Sequence, residues 1–138
     1  KKPTRYRLSF LITDADGSLL LGKRPDSGLL ATLWEPPGTD LAETLPSADP
    51  SMLSDTHLLH RLNRDFHITT TTPRPLQEVR HTFTHFHLRQ QVLHATHLTG
   101  IPHSDLYTEL RFIPIHALTQ YALSSLAKKT VKTLSSQV

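Results

Sequence analysis

The 138-residue sequence predicts a single α+β domain with a mixed or antiparallel sheet flanked by helices. Three observations predict it. Apolar residues alternate with a period of two near the N-terminus and again through the middle of the chain. An apolar three-to-four spacing lies between those stretches, and a second such spacing closes the chain.

Tyr6, Leu8, Phe10 and Ile12 alternate with Arg7, Ser9, Leu11 and Thr13, which marks a strand with one strongly apolar face. Asp14-Ala15-Asp16-Gly17 supplies turn chemistry and Leu19-Leu20-Leu21 resumes the strand, so the first element is a hairpin. Pro25-Asp26-Ser27-Gly28 then breaks the pattern. Residues 29–38 read as an apolar loop, because no helix can run through Pro36-Pro37, and in it Leu29, Leu30, Leu33 and Trp34 read as packed core. Asp40 and Glu43 have capping-box spacing for one helical turn that Pro46 would stop, and residues 47–51 read as a linker.

Over residues 52–66, Leu58, Leu59, Leu62 and Phe66 share one helical face, with His57, His60, Arg61, Arg64 and Asp65 filling the other. Thr69 to Thr72 with Pro73 and Pro75 read as a polar connection. Residues 76–98 favour two strands, whose turn no Gly or Pro marks. Within them residues 81–88 read as continuous strand, with Phe83, His85 and His87 on one face and Thr82, Thr84, Phe86 and Leu88 on the other. Residues 109–115 form a short strand candidate. Leu118, Tyr121 or Ala122, Leu126, Val131 and Leu134 mark one or two closing helices.

Fifteen Lys and Arg against twelve Asp and Glu give a net charge of only +3, so the placement of cations matters more than their number. Lys1, Lys2, Arg5 and Arg7 cluster at the N-terminus, and Lys128, Lys129 and Lys132 on the closing helix. Lys23-Arg24 and Arg80-His81 lie between them. The absence of cysteine excludes disulfides and a Cys-held zinc or iron–sulfur site within these residues. No apolar run approaches the roughly 20 residues that cross a bilayer, so we expect a soluble, intracellular protein without a membrane partner. The start at Lys1-Lys2-Pro3 reads as a fragment cut from a larger protein.

Residues 20–38 (Leu-Leu-Gly-Lys-Arg-Pro-Asp-Ser-Gly-Leu-Leu-Ala-Thr-Leu-Trp-Glu-Pro-Pro-Gly) and residues 80–88 (Arg-His-Thr-Phe-Thr-His-Phe-His-Leu), in that order, resemble the C-terminal domain of MutY-type adenine DNA glycosylases. The resemblance covers nearly the whole chain. It implies a Nudix-like fold, and a single domain over residues 1–138 that recognises 8-oxoguanine opposite mispaired adenine in duplex DNA. It also implies that this domain is not catalytic alone and holds no cofactor or metal. A separate N-terminal catalytic domain, its partner in the full protein, would carry the glycosylase chemistry and a 4Fe-4S cluster, acting at the DNA of the cytoplasm or nucleoid. By the same resemblance Phe83, Thr84 and His85 are the recognition residues, Thr84 standing where the family usually has Ser. Lys23, Arg24 and Arg80 are candidate phosphate contacts, although Lys23-Arg24 reads equally well as ordinary surface charge. The chain departs from the family pattern at Thr32, where Gly is usual, and at Pro36, where Phe is usual.

Two rival readings follow from the residues. A Nudix hydrolase of an oxidised nucleotide would need an Arg-Glu pair and two further glutamates on the helix to hold Mg²⁺, but His60 stands at the arginine and Arg61 and Arg64 at two of the three acidic positions, with only Asp65 at the third, which disfavours hydrolysis. Zinc could be held by His85 and His87 on one strand face with His81, His94 or His97 as a third ligand, although no regularly spaced acid or cysteine joins them.

Overall fold

The computed structural model describes residues 1–41 and 53–135. Strand β1 (Thr4–Thr13) is its centre. Along its whole length it pairs in parallel with β7 (His87–Thr99), in register from Thr4↔His87 to Thr13↔Thr96. A strand has two edges, so β4 (Gly38–Leu41) and the first residue of β2 (Leu19–Lys23) share the other, both antiparallel. Strand β2 pairs antiparallel with β3 (Trp34–Glu35) and β8 (Glu109–Ile113), while β6 (Arg74–Thr82) and the short β5 (Thr69–Thr70) pair antiparallel with β7. The result is the expected mixed sheet.

Alternation in β1 sorts the core into two layers. Leu8, Phe10 and Ile12 face helix α1 (Asp55–Phe66), where they meet Leu58, Leu62 and Phe66. Leu11 points to the opposite face and joins Leu19, Leu21, Trp34, Val79, Leu88 and Val92 beneath Leu126 of α2 (Ser125–Ser135). Both faces are therefore covered, and the sheet is the middle of three layers. Helix α1 begins where Ser54 caps the His57 amide at 3.2 Å, and its amphipathic spacing directs Leu58, Leu62 and Phe66 inward. A six-residue 3₁₀ segment, Ile115–Gln120, precedes α2.

Three expectations are corrected. Residues 81–88 are not one strand: β6 ends at Thr82, β7 begins at His87, and residues 83–86 are the hairpin loop, closed by Phe83 N–H donating to the Phe86 carbonyl at 2.8 Å. A four-residue loop needs no Gly or Pro, so the aromatic alternation runs through it unpunctuated. The expected faces fall with the strand: Thr82 pairs with His87, and the Phe83 and Phe86 rings pack together at 4.8 Å.

Asp40 does not open a helical turn but lies in β4, drawn there by the free edge of β1. Glu43, Pro46 and residues 47–52 lie outside the described residues. The polar connection at 69–75 is partly strand, since Thr69–Thr70 is β5 and Pro75 sits in β6 beside a register shift.

Candidate functional site

The loop after β2 is held in shape by its backbone. Thr32 N–H donates to Pro25 O and Leu33 N–H to Leu30 O, and these bonds place Leu30 at φ +53° and Thr32 at φ +66°. The left-handed region is strained for a β-branched residue and free for glycine. Thr32→Gly is therefore expected to raise the unfolding free energy by about 1 kcal/mol, read from the midpoint of urea denaturation; a lowered midpoint would show that the threonine is not strained there.

This loop walls a cleft of about 650 Å³. Leu29, Leu30, Phe83, Phe86, Leu88 and Leu126 supply much of its apolar lining, and Arg5, Arg7, Arg24, Glu35 and Asp40 its charge. Leu29 and Leu30 thus line a cleft rather than the core, while Trp34 is core, packed edge-on against Tyr121. At the cleft floor Arg7 is buried, unlike the rest of the basic N-terminus. Its guanidinium pairs with the buried Glu35 carboxylate and donates to the Tyr107 hydroxyl at 3.0 Å. That hydroxyl donates to Glu35 at 2.7 Å and accepts from Gly38 N–H at 2.9 Å. Arg24 reaches Glu35 from the rim at 3.3 Å and holds the loop through the Leu29 carbonyl.

Burial pulls the Arg7 pKa down, but Tyr107, Glu35 and Asp40 outweigh it and hold the group well above its ordinary value. Burial raises the Tyr107 phenol. The backbone has to come close for this to form: a Cβ on Gly38 would lie 2.5 Å from the Arg7 guanidinium and 2.6 Å from the Leu8 carbonyl. Sequence reasoning missed the network. Its only signal was an arginine and a serine on the second face of a strand whose two faces turn out to be covered.

At the mouth of the cleft stands the β6–β7 loop. Phe83 and Phe86 pack beneath it and Arg5 lies over the Phe86 ring at 4.3 Å, so Thr84 and His85 are lifted into solvent. Lys2 donates to the Phe83 carbonyl at 3.1 Å, which brings the basic N-terminus to the loop. Phe83 and Arg24 line the cleft, but Thr84 and His85 project past it, and Lys23 lines neither this cleft nor the next.

A second cleft, of about 440 Å³, lies on the other side of the hairpin and contains Arg80, His81, His87 and Lys129. Burial first, then the Lys129 charge, keeps His81 below the ordinary histidine value of 6.5. The folded chain thus binds this proton less readily than the unfolded one, so the group costs stability as pH falls through 6.5. In Lys129→Gln the His81 titration, followed by NMR of its ring protons, is expected to move upward. An unmoved curve would assign the shift to burial alone.

Among the described residues neither of the two rival metal geometries is formed. His85 sits in the loop and His87 in β7, so they share no strand face, and His87, His94 and His97 bond to Thr82, Thr13 and the Gly100 carbonyl. Among the described residues no three His, Asp or Glu side chains converge. On α1, Arg61 donates to Thr39 and Arg64 pairs with Asp65. Burial and then Arg64 lower the Arg61 pKa, so the helix already carries crowded positive charge. These donors do not fit Mg²⁺.

Among the described residues no helix is long and apolar enough to cross a membrane. No curated protein sequence matches the chain. Solved structures do. The MutT protein of Methanosarcina mazei Go1 superposes with a TM-score of 0.78 at 17% identity, covering 99% of this chain and 96% of that one. The MutT NUDIX hydrolase of Burkholderia pseudomallei gives 0.75 at 20%, covering 96% and 99%. The C-terminal domain of mouse MUTYH, solved in complex with human PCNA, gives 0.70 at 26%, covering 96% and 88%. The three-layer fold is theirs, and the NUDIX domain model matches residues 8–133 of the sequence, so the chain belongs to the NUDIX domain family.

Proposed function

We propose that this domain is the substrate-recognition part of an adenine DNA glycosylase, reading 8-oxoguanine opposite mispaired adenine in duplex DNA. The observation that carries the reading is the β6–β7 loop, which lifts Thr84 and His85 into solvent on a packed aromatic base with Lys2, Arg5 and Arg80 close by. The Thr84 hydroxyl has no hydrogen-bond partner among the described residues, so its donor and its acceptor capacity are both free. Guanine offers an acceptor at N7, whereas 8-oxoguanine offers an N7–H donor and a carbonyl at C8. A hydroxyl beside a backbone N–H satisfies the second pattern and leaves the first with a mismatched partner. Phe83 would press on the duplex beside the lesion, His85 would lie near its backbone, and Arg24, Arg80 and Lys23 would meet phosphates.

The likeness to the MUTYH C-terminal domain supports this reading, as does the crowding of arginines on α1 where a hydrolase needs carboxylates. Glycosidic cleavage and the 4Fe-4S cluster then belong to a separate N-terminal domain. The test is a fluorescence-anisotropy titration against duplexes with 8-oxoguanine:adenine or guanine:adenine, beside an assay of 8-oxo-dGTP cleavage with Mg²⁺. Tighter binding of the damaged duplex without cleavage is expected. Mg²⁺-dependent cleavage with no duplex preference would replace the reading with nucleotide hydrolysis.

A further inference from the structure

The second cleft has a chemistry of its own. Where hairpin β6–β7 meets α2 and the start of β1, it gathers Arg80, His81, Thr82, His87, Arg89 and Lys129, and no carboxylate lines it. Glu78 lies beside it but is already occupied: its oxygens accept from Arg89 at 2.5 and 2.9 Å and from Arg80 at 3.0 Å, and the Arg89 bonds first, then Arg80, bring its pKa down to about 2. Three cations therefore stand against one spent carboxylate. Among the described residues no carboxylate pairs with Lys129.

The Lys129 ammonium instead lies 2.8 Å from His81 Nδ1 and 3.4 Å from the Arg80 carbonyl, so the closing helix is tied to the hairpin. An ammonium only donates, hence Nδ1 accepts, and a neutral His81 must carry its proton on Nε2. Its free ring nitrogen is then a donor, as are the unused N–H groups of Arg80, Arg89 and Lys129. Donors and positive charge in a roomy, carboxylate-free cleft suit an oxyanion.

We propose that this cleft binds a phosphate group, with Lys129 as its principal charge contact and Arg80, Arg89 and His81 as hydrogen-bond donors. Its proximity to the Thr84 loop makes a backbone phosphate of duplex DNA the source, an assignment that rests on the recognition reading above; the phosphate of a free nucleotide is the other source of the same chemistry. Held there, the duplex would run across the end of the hairpin with the lesion at the loop, and α2 would be part of the footprint.

The experiment compares the chain with its Lys129→Gln variant. Lys129 is exposed, so the fold is expected to survive, and circular dichroism checks that. Duplexes with 8-oxoguanine:adenine and guanine:adenine are titrated at several KCl concentrations. Inorganic phosphate and dGMP are titrated separately, following the His81, Thr82 and Lys129 amide resonances. The expected result is a loss of roughly two- to fivefold in affinity for both duplexes alike. The slope of log K against log salt should fall by about one, and phosphate should shift those resonances only in the native chain. Resonance shifts with phosphate or dGMP but unchanged duplex binding would keep the anion site and assign it to a free phosphate. Unchanged duplex binding with no resonance shift would overturn the proposal. Failure of the lesion reading shows separately, as equal affinity of the native chain for the two duplexes.

Discussion

Thr84→Val is expected to leave the denaturation midpoint unchanged and to lower the preference for 8-oxoguanine over guanine by roughly ten- to hundredfold, the equivalent of one buried hydrogen bond left unmade at about 1–3 kcal/mol. Valine keeps the branched shape and loses the hydroxyl. Thr84 is exposed in the loop and bonds to nothing among the described residues, so no stabilising contact disappears with it. The loop is closed by groups the substitution does not touch, the Phe83–Phe86 backbone bond and the ring pair beneath it. The measurement is the ratio of dissociation constants for damaged and undamaged duplexes, with the catalytic partner domain joined if the isolated domain binds weakly. A ratio equal to that of the native chain would take Thr84 out of recognition. Thr84→Ser is the companion: it restores the hydroxyl without the methyl and should keep the ratio.

Glu35→Ala is expected to destabilise the fold by about 3–5 kcal/mol, a large part of the about 5–15 kcal/mol that holds a domain of this size together. The cause is the partner left behind. Arg7 would remain buried with the neutral Tyr107 hydroxyl at 3.0 Å and Asp40 at 3.5 Å as its remaining carboxylate among the described residues, and the Asp40 side chain is 87% exposed, so its charge is largely screened by water. Tyr107 would lose the acceptor of its hydroxyl proton, and Arg24 its rim contact. Urea denaturation should show a lowered midpoint at unchanged slope. Arg7→Met combined with Glu35→Leu removes both charges at once, and it should be more stable than Glu35→Ala alone. If Glu35→Ala costs no more than an ordinary surface substitution, the network contributes nothing to stability. Because the same residues floor the larger cleft, this variant also tests whether the cleft keeps its shape without them.

What residue patterns determine here is whatever repeats along the chain. The period of two from Tyr6 to Ile12 established β1 and its α1-facing side, and the three-to-four spacing of Leu58, Leu62 and Phe66 established α1, because burial of one face imposes that spacing on any amphipathic element. The α+β class followed from their order. The exposed Thr84 and His85 were nominated from a motif, and their residue types were readable even though their setting was not.

Only the tertiary structure decided that they sit in a hairpin loop. A four-residue turn between two paired strands is chosen by the register of Thr82 with His87, which no local signal in an unbroken aromatic alternation reveals. The partners of Arg7 were equally invisible. Glu35 lies 28 residues away from it and Tyr107 lies 100, and neither pairing has a sequence spacing to betray it. Lys129 met His81 only because α2 packs across the hairpin, 48 residues along the chain. Periodicity records which way a side chain points relative to its neighbours in sequence; which charges meet is set by how separate elements stack, and that is a property of the folded chain.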